Sequence, residues 1–460
     1  MVSNLDRSYE QKGKVSIPFA FATMMLMIQF IPMSSGNIKY YNCMIAVLFA
    51  SMFFCKIRKK NFRVPGFMVV YVFTYVMSYI IHYYIDSGRQ IIMFLIGFLG
   101  VRYIILSGIK SENEFLKFID YIIIFFALYS IFGIYESFTS INFFDILFKR
   151  EVVLDYANAI RFGIRRNHGM CSVSINNGML LNIVLTIAGY RLFNLRKTDK
   201  KFLICYILIW TDLVLTLSRQ VILMSIIIQL ALAAKCGFTW IVKRIACILL
   251  ILFVLWLSIG DILSSALSNI TSMFLPLLEI INPAYSSYYN WNEGIGGIGE
   301  RTELWGWIYA AVHNQLVFGM GYETPFSIAL SNNTIKTSIE VHWLYVLYMR
   351  GLFGLTGFII YQVGCIKKIF SCKCDIGEIR VKFPFVMLIL TLGYFVSLFS
   401  CSGWEDLKFY YMIFALFECY TRLGGAILFV TSTAALLIFA VGWYTRNRCT
   451  SCFAFRRELI

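Results

Sequence analysis

The sequence predicts an all-α polytopic integral membrane protein, with about 12 transmembrane helices, or about 13 if the last apolar segment also spans. Three observations carry that prediction. Of 460 residues, 59% are hydrophobic and only 14% charged, whereas an ordinary soluble domain carries about 25% charged residues. Mean hydropathy is +0.72. Apolar runs of about 20 residues, long enough to cross a hydrocarbon core, recur from end to end with short polar punctuation. The unit to count is therefore the span, and the whole chain, 1–460, reads as a single integral membrane domain.

A window of about 19 residues places spans near 17–33, 40–55, 64–85, 90–109, 115–136, 171–193, 202–217, 220–238, 241–262, 341–366, 383–400, 407–420 and 424–443. The head of the chain holds Asp6, Glu10, Lys12 and Lys14, and no small-residue cleavage site follows its apolar run, so that run is expected to remain as the first span. Most of the 13 cysteines lie inside apolar runs, as do Cys43, Cys55, Cys205 and Cys247, where a thiol acts as a small hydrophobe. Cys372-x-Cys374 and Cys449-x-x-Cys452 lie far apart in sequence and lack a companion histidine, which argues against a zinc site.

The formal charge of +16 does not point to nucleic acid, because the basic residues form short clusters between apolar runs. They act as topology signals. With the N-terminus inside, inner loops such as 56–63, 191–201 and 367–382 hold roughly twice the basic residues of the outer loops. Beyond residue 420 the rule weakens, since a span at 424–443 would leave Arg446, Arg448, Arg456 and Arg457 outside.

Two outer loops are long, 137–170 and 263–340, and function is expected to concentrate there. The first carries Arg161, Arg165 and Arg166, a basic cluster on the face where the positive-inside rule disfavours it, which points to an anionic ligand. The second opens with an apolar stretch broken by Pro276 and Pro283, followed by an aromatic run from Tyr285 to Trp291 suited to a headgroup belt or to stacking on sugars. Gly294-x-Gly296-x-x-Gly299 spells the dinucleotide fingerprint but follows no buried strand, so it reads as a loop.

Past that loop, Arg301, Trp305, Ile308, Tyr309 and Val312 are spaced as one stripe of an amphipathic helix, with Arg301 in the first turn. Phe318-Gly-Met-Gly321 predicts a turn. The chain then re-enters the membrane with His342 near the outer end of a span, followed by Tyr345, Arg350, Gly351 and Gly354. Ser218-Arg219 forms a bare outer turn between two spans. His82 and His313 read as structural imidazoles, and His168 lies outside the catalytic set.

One orientation thus puts Arg161, Arg165, Arg166, Arg219, Arg301 and His342 on the same face. Guanidiniums at a lipid boundary suit a pyrophosphate, offering bidentate donors and stabilising charge on a departing diphosphate. An imidazole suits a general base for an acceptor hydroxyl.

The order of these pieces resembles the O-antigen polymerase and O-antigen ligase superfamily of bacterial envelope glycosyltransferases. The likeness covers roughly 160–365: a Ser-Arg turn, then Arg301-x-x-x-Trp305, the Phe318–Gly321 turn, His342-x-x-Tyr345, and Gly351-x-x-Gly354. Asn176-Asn177 stands where the family usually has Asn-Pro, and Leu316-Val317 stands where a Pro is expected. The resemblance implies an undecaprenyl-diphosphate-linked oligosaccharide as donor, metal-independent chemistry without a cofactor, and a site on the periplasmic or extracellular face of the bacterial inner membrane. It also implies catalytic roles for Arg219, Arg301 and His342, substrate contacts by Arg161, Arg165, Arg166, Trp305 and Tyr345, and a chain-length regulator as partner besides the lipid bilayer. The expected activity is polymerisation of O-antigen or capsule repeat units, with ligation to lipid A core as the alternative. A flippase would be expected to show two similar halves, and none are apparent. A peptidoglycan-type polymerase would need an outer carboxylate, for which Glu293, Glu300 and Glu303 are the candidates.

Overall fold

A computed structural model describes residues 16–32, 39–54, 63–82, 87–150, 160–161, 164–194, 199–236, 298–321, 326–329, 335–336, 339, 341–372, 381–399 and 407–423. Every predicted span that falls on described residues is helical. The segments 241–262 and 424–443, the aromatic run 285–291 and the Cys449–Cys452 pair lie outside them.

In chain order the helices are α1 Ile17–Ile28, α2 Tyr40–Phe54 and α3 Gly66–Ile81, then α4, running from Ser87 to Gly108 with a π segment at Ile96–Gly100. Next come α5 Glu112–Thr139, the short α6 Phe143–Phe148, α7 Ser174–Asn194, α8 Lys200–Leu215 and α9 Arg219–Cys236. Then follow α10 Ile298–Val312, α11 His342–Phe370, α12 Phe383–Ser397, and α13 over 407–423. Strand structure among the described residues is limited to two bridges of two-residue strands, Ile160–Arg161 with Ile164–Arg165 and Ile328–Ala329 with Ile335–Lys336.

Side chains place the helix boundaries. Ser16 accepts from the Phe19 amide and Pro18 occupies the first turn of α1, where its missing N–H costs nothing. Ser111 caps α5 through the Glu114 amide, with Glu112 and Glu114 in the first turn, both favourable against the helix dipole. Asn142 and Asp199 cap α6 and α8 in the same way.

Among the described residues, three helices are long and apolar enough to cross a bilayer: Gly88–Gly108, Glu112–Thr139 and His342–Phe370. Shorter apolar helices accompany them at Ile17–Ile28, Tyr40–Phe54, Gly66–Ile81 and Phe383–Ser397. The outward surface matches, with Phe53, Phe73, Phe138 and Val363 all exposed. Many exposed large apolar side chains are what a surface that meets lipid or another protein presents.

Helix α7 is buried along most of its length and packs on α5, α8, α9 and α12, while α11 packs chiefly on α3. The far end of the bundle, opposite His342, is tied by charges. Arg191 reaches Asp120 at 2.7 Å. Glu418, 1% exposed, accepts from Arg102 Nε at 2.5 Å and is paired with Lys368. The Arg102 fork also donates to the Arg63 carbonyl at 2.9 Å.

Candidate functional site

At the His342 end, the site is built from a turn, a helix start and a helix end. The turn between α8 and α9 is tight, with Leu217 held at φ 50°. It persists because the segment before α7 fastens it. The Asn167 amide donates to the Leu215 carbonyl at 3.4 Å, and Arg166 Nε and Nη2 donate to the Thr216 carbonyl and Ser218 Oγ, each at 2.9 Å. Arg219 opens α9 directly after that clamp and is half-buried.

The last turn of α12 joins this turn to His342. Gln220 Nε2 donates to the Ser397 carbonyl at 3.2 Å, and the His342 amide donates to the next carbonyl, Leu398, at 3.0 Å. The His342 ring is 3% exposed, with Phe358 centred 5.1 Å away and Tyr345 6.1 Å away. Helix α10 packs on α11, its Leu304, Ile308 and Val312 sharing an apolar cluster with Leu344 and Tyr348.

Helix α11 is broken at Gly351, where φ is 63° and ψ is −165°. The turn after α10 fills the break. Met320 and Gly321 amides donate to the Tyr348 and Met349 carbonyls at 2.7 and 3.2 Å, and the Leu352 and Phe353 amides donate to the Leu316 and Val317 carbonyls at 2.8 and 2.9 Å. Backbone groups freed from the helix are thus satisfied by the turn. His82 braces the same turn, its Nε2 lying 2.9 Å from the Phe318 carbonyl. A Cβ on Gly354 would overlap the Arg350 side chain, which explains the Gly351-x-x-Gly354 spacing: one glycine makes the break and the other leaves room for the arginine.

That arginine faces a cleft shared with His342 and Lys408. Arg350 and Lys408 are 4% and 7% exposed. The Arg350 guanidinium lies 4.0 Å from the Tyr75 ring centre. Lys408 Nζ lies 4.3 Å from the Tyr40 ring and donates to the Ile31 carbonyl at 3.0 Å. Tyr71 and Tyr411 meet through their hydroxyls at 3.0 Å, and Tyr75 stacks on Phe94 at 3.6 Å and 9°. No carboxylate stands among the described residues that line this cleft.

The base of the loop 137–170 is an ionic layer. Glu136, 1% exposed, accepts from His168 Nδ1 at 2.6 Å, Asn142 Nδ2 at 2.7 Å and the Gly169 amide at 3.1 Å. His168 Nε2 reaches Asp145 at 3.0 Å, and Arg150 donates to Asp145 at 2.7 Å and to the Met170 carbonyl at 2.8 Å. Burial opposes charge on His168, but hydrogen bonds to Asp145 and Glu136 outweigh it and lift its pKa to about 9. Burial likewise opposes charge on Asp145, and His168 and Arg150 override it, holding the carboxyl below its usual range. His168 is therefore an imidazolium tying the loop to α5.

Several sequence expectations change on this geometry. Arg166 is the first-loop arginine at the Ser218–Arg219 turn, whereas Arg165 donates to the Ser140 carbonyl. Arg161 pairs by backbone with Ile164. Arg150, one of the outer cations, serves an internal carboxylate. The α10 stripe is corrected: the buried face is Leu304, Ile308 and Val312, while Trp305 and Tyr309 are 45% and 61% exposed. The aliphatic residues at i, i+4 and i+8 win the packing, and the aromatics with polar edges stay outside. Arg301 lies in the first turn of α10, Gly299 of the fingerprint lies in that helix too, and Tyr345 is half-buried on α11. Arg350 and Lys408 join the site without having been candidates; their only signal was a cation beside a glycine, and another at the start of an apolar run.

No family model and no curated protein matches the chain. The functional reading therefore stands on the residues and their geometry.

Proposed function

We propose that this chain is a metal-independent membrane glycosyltransferase that polymerises repeat units of a bacterial surface polysaccharide. Its substrate would be an undecaprenyl-diphosphate-linked oligosaccharide, and it would work at the outer face of the cytoplasmic membrane. The observation that carries the reading is the meeting of the Arg166–Arg219 turn and the His342 helix start on one turn of α12. The roughly twofold excess of basic residues in the opposite loops argues that this end faces outward.

In the proposed reaction, an acceptor hydroxyl of a new lipid-linked repeat attacks the anomeric carbon of the donor sugar. A C–O bond forms to the acceptor, and the C–O bond to the lipid diphosphate breaks. The diphosphate leaves with the bonding electron pair, and the acceptor proton passes to the His342 imidazole. Arg219, with Arg301 from α10, stabilises the charge that develops on the leaving diphosphate. Arg166 is a positioning residue, since its donors hold the turn that presents Arg219. Contacts from Arg161, Arg165, Trp305 and Tyr345 to the glycan, and a chain-length regulator as partner, belong to the same proposal.

The test is the length distribution of surface polysaccharide in a deletion strain complemented with wild type, Arg219→Ala, Arg301→Ala or His342→Ala at matched protein levels. Polymerisation predicts collapse of the ladder to a single-repeat band in all three variants. Loss of every capped band points instead to ligation or flipping, and an unchanged ladder refutes the site.

A further inference from the structure

Helix α8 carries one carboxylate that the reaction above does not use. Asp212 is 0% exposed and lies one turn from the outer end of that helix. Room for it is made in α5, where a Cβ on Gly133 would overlap the Asp212 carboxyl. Glycine in a helix interior costs stability against alanine. The fold thus keeps a weak helix former at the one point where it admits a buried acid.

One oxygen of that acid is engaged. Asn167 Nδ2 donates to Asp212 Oδ1 at 2.5 Å and to the Asp212 carbonyl at 3.0 Å. The other oxygen, Oδ2, makes no hydrogen bond, and neither does Ser130 Oγ, its neighbour on α5 one turn before Gly133. Ser130 is also 0% exposed. Buried polar atoms are nearly always satisfied, so two unsatisfied oxygens side by side point to a third group between them.

The charges agree. The charge acting on Asp212 is that of a second carboxylate, Glu136, one turn beyond Gly133. No ion pair reaches Asp212 among the described residues, because His168 and Arg150 are engaged with Glu136 and Asp145. Arg166 is turned to the Thr216 carbonyl and Ser218 Oγ. Three carboxylates, Glu136, Asp145 and Asp212, therefore share two cations, His168 and Arg150. An uncompensated charge at membrane depth is costly, and intramembrane acids accordingly mark ion sites and proton relays.

Geometry separates those two. A proton on Oδ2 would be shared with Ser130 Oγ through a hydrogen bond, whereas the two oxygens stand outside hydrogen-bond geometry. A metal ion held between them needs the wider spacing. The donors at hand are all oxygens: carboxylate, hydroxyl, and the Gly133 carbonyl, which Ser137 Oγ and Asn167 Nδ2 approach no closer than 3.4 Å. Hard oxygen donors without nitrogen or sulfur suit alkali and alkaline-earth ions, and one uncompensated carboxylate matches a single charge.

We infer that Asp212 Oδ2, Ser130 Oγ and the Gly133 carbonyl bind a sodium ion between α5 and α8. The ion fastens the segment above it. Asn167, whose side chain grips Asp212, also donates its backbone amide to the Leu215 carbonyl at 3.4 Å, directly beneath the Arg166 clamp. The site is independent of the polymerase reading, since it stands whatever group that clamp presents Arg219 to.

The experiment uses the full chain in nanodiscs and sodium as the probe. Binding of radioactive sodium is measured directly, and melting temperature is followed as sodium chloride replaces choline chloride at constant ionic strength and pH. A ligand that binds only the folded state raises the melting temperature in a saturable way. Asp212→Asn keeps the shape and removes the charge, and should weaken sodium binding by about tenfold or more. Ser130→Ala removes a hydroxyl that makes no hydrogen bond, so it keeps the test decisive if Asp212→Asn impairs folding; it should weaken binding by about two- to tenfold. Ser78→Ala, a buried serine on α3, should bind as wild type. Hydrogen exchange at the Asn167 amide should slow in sodium and not in choline. Saturable binding that weakens in both site variants supports the inference. Equal melting in sodium and choline overturns it, as does a sodium effect that Asp212→Asn and Ser130→Ala leave intact. Stabilisation by acid with no response to sodium overturns it too, by assigning a proton to Asp212.

Discussion

Gly351→Ala tests the junction that organises the site. At φ 63° and ψ −165°, Gly351 occupies a backbone region essentially reserved for glycine, and a residue forced there costs about 1–3 kcal/mol. A Cβ at this position would also overlap the Val317 carbonyl and fall 2.5 Å from the Gly319 amide nitrogen. Relief requires the turn to move away, which would sacrifice the bonds from Leu352 and Phe353 to Leu316 and Val317. At about 0.5–1.5 kcal/mol net for each bond, the total destabilisation is about 2–6 kcal/mol. Gly306→Ala is the control, because nothing lies within 4 Å of a Cβ there. In a helix interior it should stabilise by about 0.5–1 kcal/mol. Guanidinium unfolding in detergent, read by circular dichroism, separates the two. If Gly351→Ala unfolds within about 0.5 kcal/mol of the control, the strained junction is not what holds the turn to the helix.

The ionic layer gives a pH signature. Because the folded pKa of His168 is raised to about 9, its stabilisation is complete below the ordinary histidine range and disappears as pH climbs through about 9. Asp145, held low, contributes above the ordinary carboxylate range and loses that contribution as pH falls through its folded pKa. Melting temperature should therefore drop on the alkaline side in wild type and much less in His168→Gln; parallel curves would contradict the assignment. Glu418→Gln leaves Arg102 and Lys368 facing each other without their carboxylate, and should cost about 3–5 kcal/mol in denaturant unfolding. Tyr129→Phe removes a hydroxyl that donates to Asn177 Oδ1 at 2.6 Å and accepts from the Met170 amide at 3.0 Å. It should cost about 1–3 kcal/mol, and amide exchange at Met170 should accelerate.

The helices were legible because each apolar run is long, and Ser, Asn and Asp caps start several of them where the polar punctuation stops. The Phe318–Gly321 turn was legible too, since Gly319 and Gly321 supply the positive φ it needs. What the sequence hides is convergence across the chain. Tyr71 and Tyr411 touch although 340 residues apart, and no local pattern marks them as partners. Arg350 sits inside an apolar run, and no local pattern shows that it shares a cleft with His342 and Lys408. Nothing local marks the role of His168 either, because Glu136, which holds it, belongs to the preceding helix. On α10, the two possible stripes share Ile308 and Val312, and periodicity alone does not choose between Leu304 and Trp305.

The π segment at Ile96–Gly100 has its own consequence. A π turn accommodates one residue more than α geometry needs, so everything after it is rotated by about 100° from its α-helical position. On one side of that insertion Phe94 builds the cleft wall, and on the other Arg102 reaches Glu418. Deleting one residue from 96–100 would rewind the helix and swing either the aromatic wall or the buried arginine out of alignment. A single rod thus addresses two neighbours in different directions, and its surplus residue sets the angle between them.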